Sequence, residues 1–240
     1  MLENKVIIYD DSCPMCRIYT YLFVAWGFLA AKNRIGFASA PESITSRVDL
    51  DRGRHEIPLF DRETGKTIYG LAALGHILGS RMPWLNPFFR SRLFWLMFHP
   101  LYEIITYNRR VIAGCKHLCG FDCAPDLNRF YRTLYLLITF SVTALIGVAL
   151  LLNGTLPAKI GVVIMAAFAI TGALANILVR AFSGLIAGWN HAGNYATTVV
   201  MVALALTPLT LLPAATIFAS WIVVAFALIL GLSELRRRSL

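Results

Sequence analysis

Tyr9-Asp10-Asp11-Ser12-Cys13-Pro14-Met15-Cys16-Arg17 follows the apolar run Val6, Ile7, Ile8 and precedes a long apolar segment. The pattern predicts a strand, a sharp turn and a helix start, with both thiols at the turn. A C-x-x-C at a helix N-terminus sets the first sulfur near unpaired backbone N–H groups and the positive end of the helix dipole, both of which favour thiolate. That is the geometry of a redox dithiol. The same spacing also suits half of a zinc site or two core cysteines, so the remaining sequence has to decide among them.

After Cys16, residues 18–31 are apolar on most faces and aromatic in character, which predicts a helix packed on a sheet or lying at a membrane surface. Residues 34–40 predict a second short strand, and 41–54 a loop or short surface helix. Ile57-Pro58-Leu59-Phe60-Asp61, then Arg62-Glu63-Thr64-Gly65-Lys66, then Thr67-Ile68-Tyr69 reads as a hairpin with a Gly-containing turn. Pro58 sits at its entrance, either as an ordinary strand-start proline or as a cis-proline lying against the dithiol. Residues 70–79 then predict a helix.

In this order the chain resembles a thioredoxin-like fold, and more closely the DCC family of thiol-disulfide oxidoreductases, named for D-x-x-C-x-x-C. Asp10, Cys13 and Cys16 carry the motif directly after the first strand, and the likeness continues through Pro58 and the 102–110 segment ending Tyr-Asn-Arg-Arg. It spans residues 4–125. The resemblance implies Cys13 as nucleophile and Cys16 as resolving thiol, with Asp10 and Pro58 in support. Cys13, nearer the helix end, is expected to be the more exposed. Asp11 stands where the family commonly has glycine, and a carboxylate aimed at the thiols would raise their pKa.

Composition divides the chain near residue 132. Beyond it, up to residue 235, the only Asp, Glu, Lys or Arg are Lys159, Arg180 and Glu234. Four apolar stretches, 133–152, 157–179, 195 to about 214 and 215–232, each approach the roughly 20 residues that span a bilayer core of about 30 Å. The breaks are Asn153-Gly154-Thr155, a polar-aromatic connection over 180–194 that holds Trp189, Asn190, His191 and Asn194, and a weak one over 208–213. The expected architecture is an α/β thioredoxin-like domain over 1–126 and an all-α transmembrane domain of about four spans over 127–240. Arg129, Arg132, Arg180 and Arg236 to Arg238 flank the same ends of these spans, which places both termini in the cytoplasm and suggests a bacterial inner membrane. The net charge of +9 is accounted for by this asymmetry and by anionic headgroups, and supports no nucleic-acid role. Residues 1–9 are too short and polar for a secretory signal, so the dithiol is expected in the cytosol, where structural disulfides are rare.

Residues 82–106 are strongly aromatic, with Arg81, Arg90 and Arg92 interspersed, and fit a membrane interface or a helical cap on the core. Cys115, Cys119 and Cys123 then recur at every fourth position around His117. Three uses compete for this cluster: a soft-metal site, a second redox dithiol exchanging with Cys13 and Cys16, or a disulfide staple. Two functions follow. One is a membrane-anchored thiol-disulfide oxidoreductase acting on a protein or small-molecule disulfide, which needs no cofactor; the other is a soft-metal-binding or metal-transfer protein using all five thiols. No cysteine lies beyond Cys123, which excludes a thiol relay across the bilayer within the chain while leaving room for a quinone at one face.

Overall fold

A computed structural model describes residues 2–114, 125–152 and 158–207, and the chain divides into two compact units, Met1–Asn128 and Arg129–Leu240. The first unit is built on a mixed sheet of β1 (Lys5–Tyr9), β2 (Arg34–Gly36), β3 (Pro58–Asp61) and β4 (Thr67–Tyr69), in the order β2-β1-β3-β4. β1 is parallel to β2, with Ile8 opposite Ile35, and antiparallel to β3, with Val6 opposite Phe60. Parallel neighbours need a crossover, which α1 (Pro14–Ala25) supplies; β3 and β4 form the expected antiparallel hairpin. Helices α2 (Glu42–Thr45), α3 (Leu50–His55), α4 (Gly70–Arg81), α5 (Asn86–Arg90) and α6 (Arg92–Ala113) complete the unit.

β1 is apolar at every central position because both of its faces are covered. Ile7 packs with Phe23 of α1, with Phe28 and Leu29 just after it, and with Ala73 and Ile77 of α4. Val6 and Ile8 point the other way, onto Phe37, Ile44 and Val48. The second strand is shorter than the sequence predicts: it ends at Gly36 and continues as a single 3-10 turn, Phe37–Ser39. The stretch 41–54, expected as a loop or short surface helix, holds the short helices α2 and α3, and Asp49 caps α3 by accepting the Arg52 N–H at 3.0 Å.

At the β1–β3 edge Lys5 Nζ donates to Asp61 Oδ2 at 2.8 Å across paired positions. The Lys5 ammonium, helped by the backbone N–H of Glu63, holds the Asp61 carboxyl down at about 2. In Lys5→Ala the Asp61 pKa should climb toward its ordinary 3.8, read by carboxyl NMR titration; no movement would rule out the pairing.

Pro58 opens β3 opposite Tyr69, and the Ile57–Pro58 bond is trans, as is every peptide bond among the described residues. The cis-proline expectation is therefore corrected. The strand entrance is held by other means: the Ile57 N–H donates to the Tyr102 hydroxyl of α6 at 3.4 Å, and the Ile57 carbonyl accepts the Gly70 N–H at 2.9 Å. Gly70 has φ +63, and a Cβ there would press on the Glu56 side chain.

The second unit contains α7 (Arg129–Leu152) and α8 (Ala158–Leu206). Gly184, at φ 85 and ψ 176, interrupts α8 and divides it into two helical arms. The arms fold back on one another: Gly172 abuts the Tyr195 ring, Asn176 Nδ2 donates to the Gly188 carbonyl at 3.3 Å, and the Arg180 guanidinium lies 5.6 Å from the Trp189 ring centroid. The connection expected over 180–194 is thus helical except at Gly184, and His191 belongs to the second arm. Tyr135 of α7 and Thr197 of α8 share a buried hydrogen bond of 2.6 Å.

Among the described residues two helical stretches are long and apolar enough to cross a membrane, Arg129–Leu150 and Gly172–Leu206, the second of which contains the Gly184 reversal. Their apolar side chains face outward: Leu137, Leu145, Ile177, Phe182 and Ile186 are all more than half exposed. A soluble core helix would bury such residues. The fourth predicted span and the break over 153–155 lie outside the described residues.

Candidate functional site

The turn between β1 and α1 is built by Asp10. Its Oδ1 accepts the Ser12 N–H at 3.0 Å and the Ser12 hydroxyl at 2.5 Å, and its carbonyl accepts the Cys13 N–H at 3.2 Å. This Asx turn reverses the chain in the few residues available and delivers Cys13 to the N-cap of α1, with Pro14 following in the first turn. A carboxylate three positions before the first thiol therefore has a backbone role.

The second oxygen of Asp10 has another use. Oδ2 lies 3.3 Å from Arg109 Nη2, which comes from the far half of α6, and both side chains are buried. Burial works against a charged guanidinium, but the negative potential of the groups around it, the Asp10 carboxylate among them, more than offsets it and holds Arg109 firmly protonated. Arg109 is thus a buried cation paired with Asp10 and felt by the two sulfurs.

Cys13 and Cys16 are both reduced and both buried, with Cys13 fully covered and Cys16 3% exposed. The expectation that Cys13 is the more exposed thiol is corrected. The Cys13 side chain does not cap the helix N–H groups; it faces Cys16 and the Arg109 charge, so inward orientation replaces the outward one. The Cys16 thiol pKa is pushed well up, first by its hydrogen bond to Cys13, then by burial, while Arg109 pulls the other way. Cys16 is accordingly the proton holder of the pair, and its S–H presents positive potential to the Cys13 sulfur.

Two phenols close the site. Burial pushes the Tyr19 hydroxyl far up, with Cys16 and Tyr102 adding to the effect, and pushes Tyr102 up to about 12. Thr20, one turn beyond Cys16, donates its hydroxyl to the Cys16 carbonyl at 2.6 Å and accepts from Arg34 Nε of β2 at 2.9 Å. Arg34 also bonds the Arg17 carbonyl at 3.1 Å and stacks 4.1 Å over the Tyr9 ring. These contacts fix the start of α1 to the sheet.

Asp11, the departure from the DCC pattern, is turned away toward β2. A Cβ on Gly36 would come within 2.6 Å of its Oδ2, so glycine at 36 is what lets the carboxylate lie there. Pro58 is buried at the head of β3. The Cys115, Cys119 and Cys123 cluster lies outside the described residues.

Arg109 is the residue sequence reasoning passed over as a site member. A signal existed: Tyr102, Thr106 and Arg109 recur at i, i+4 and i+7, positions that share one helix face. No family model matches the chain, and no match was found among curated proteins or solved structures.

Proposed function

We propose that the chain is a membrane-anchored thiol-disulfide oxidoreductase whose Cys13/Cys16 pair exchanges with a protein or small-molecule disulfide. The observation that carries this reading is the Cys16-to-Cys13 hydrogen bond beside the buried Arg109 charge, because it makes Cys16 the proton-holding resolver and leaves Cys13 as the attacking sulfur. The Cys13 thiolate bonds to one substrate sulfur and the substrate S–S bond breaks, expelling the other sulfur as thiolate. Once Cys13 is in the mixed disulfide it carries no negative charge and no longer accepts the Cys16 proton, so Cys16 ionises more readily. Its thiolate bonds to Cys13 and expels the second substrate sulfur. The pair ends as a disulfide, two electrons poorer, and the substrate as two thiols protonated by Cys16 and solvent. The exchange is complete in thiols alone.

A thioredoxin-like core of the DCC kind is supported by the order of elements: a strand, a dithiol at the start of the crossover helix, a parallel strand, then a proline-led antiparallel hairpin and a helix. The four-span topology is supported by α7 and the two arms of α8 as its first three members. With Arg129 and Arg132 at the start of α7 and Arg180 beside the Gly184 turn, positive charge collects at one side, which favours cytoplasmic termini in a bacterial inner membrane.

The test is disulfide reduction by the full chain in nanodiscs, with single thiols replaced. Cys13→Ser should fall to the uncatalysed rate, and Cys16→Ser should accumulate a covalent adduct on Cys13, seen as a mass increase equal to one half of the substrate. Cys115→Ser should keep activity. Turnover surviving in Cys13→Ser, or loss in Cys115→Ser equal to that in Cys13→Ser, would refute the assignment.

A further inference from the structure

The first unit exposes an apolar surface that its own core leaves uncovered. Trp84, between α4 and α5, is 74% exposed, and Leu93, Leu96 and Met97 at the start of α6 are each more than half exposed. Phe88 and Trp95 adjoin them, also exposed. Between Arg92 and Leu101 of α6 Phe94 is the buried side chain, and it stacks on Phe98 at 5.0 Å and meets Phe88 edge-on at 5.1 Å. A helix lying on a soluble core has a polar outer face. Here the outer face is aromatic and aliphatic, and an apolar patch of this extent marks a surface that meets another apolar phase.

Charge indicates which phase. Between Glu63 and Glu103 the sequence has no acidic residue, while Arg81, Arg90 and Arg92 border the patch. All three are exposed. Tryptophan and phenylalanine ringed by arginine, with no acid to repel phosphate, is the composition of an interfacial surface seated in anionic headgroups.

We infer that α5 and the first half of α6 lie in the headgroup region of an anionic bilayer, so that the first unit contacts the membrane through its own surface and not only through the helices that follow it. The contact is independent of the dithiol chemistry. Since α6 also carries Arg109, the helix that enters the interface is the one that holds the site's buried cation.

The test is tryptophan fluorescence of the full chain in nanodiscs containing phosphatidylglycerol, with and without lipids brominated near the headgroup. Subtracting the spectrum of the Trp84→Phe/Trp95→Phe variant isolates these two rings. Their emission should be blue-shifted and quenched by at least about half in brominated discs. The Arg81→Gln/Arg90→Glu/Arg92→Glu variant, with glutamine chosen at 81 because Arg81 donates to the Gly27 carbonyl at 3.0 Å, should lose that quenching. The inference is overturned if the difference spectrum is unquenched, as it would be were a second copy or another protein covering the patch. It is also overturned if the triple variant quenches like the parent, because the surface would then not be reading headgroup charge. Loss of disulfide exchange in Cys13→Ser leaves this readout unchanged, so the two conclusions fail separately.

Discussion

Arg109→Ala should destabilise the first unit by about 3–5 kcal/mol, the usual cost of removing one partner from a buried ion pair. The size follows from what remains: the buried Asp10 carboxylate loses the cation it is paired with. Arg109→Lys should recover part of the loss, since it restores charge without the guanidinium fork. The double variant Asp10→Ala/Arg109→Ala should cost less than the two single changes added together. A urea titration followed by pulsed alkylation of Cys16 reads this in the full chain, because that thiol is covered until the unit opens. A midpoint within 1 kcal/mol of the parent for Arg109→Ala would mean that the pair contributes nothing to stability. The same variant should slow disulfide exchange, because the charge buried beside the two sulfurs is lost.

The second large effect is alkaline. Cys16, Tyr19 and Tyr102 all lose their protons less readily in the folded chain than in the unfolded one. Below about pH 9 both states are protonated at these groups and their contribution is fully present. Above the ordinary thiol value of 9.0 and phenol value of 10.0, the unfolded chain releases protons that the folded chain retains, so stability falls as pH rises. For Tyr102, pushed up to about 12, the loss amounts to about 2–3 kcal/mol by pH 12. Urea midpoints from pH 8 to 11 should fall steadily in the parent. Tyr102→Phe should flatten the upper part of that curve and Cys16→Ser the lower part. A midpoint independent of pH over this range would contradict the burial of these groups.

What the sequence made legible is local. The β1 run, the dithiol turn, the β3–β4 hairpin and the first membrane-length helix are each encoded by contiguous residues whose period, caps and turn chemistry agree. What it hid is either distant or compensated. Asp10 and Arg109 meet only because α6 returns to the β1–α1 turn, and nothing near Asp10 in the chain announces a partner from the far end of the unit. The polar residues from Arg180 to Asn194 resemble a loop when read singly. In the structure they are helical on either side of Gly184, where Asn176 and Arg180 of one arm meet Gly188 and Trp189 of the other, a pairing visible only once the reversal is known. Cys13 looked exposed by its place at a helix start; side-chain direction, set by Cys16 and Arg109, decided otherwise.

Gly184 also bears on how the second unit is made. A reversal of one residue leaves no length of chain between the two arms that one arm could use to settle into lipid before the other. For a chain entering a bilayer, the arms must therefore arrive together, as a preformed pair whose polar side chains are already matched. Gly184 reaches its φ of +85 with open space around it, so the constraint at that position is on backbone rotation, not on room. A β-branched residue at 184 would be strained at that φ whatever the space around it, and would act against the reversal itself.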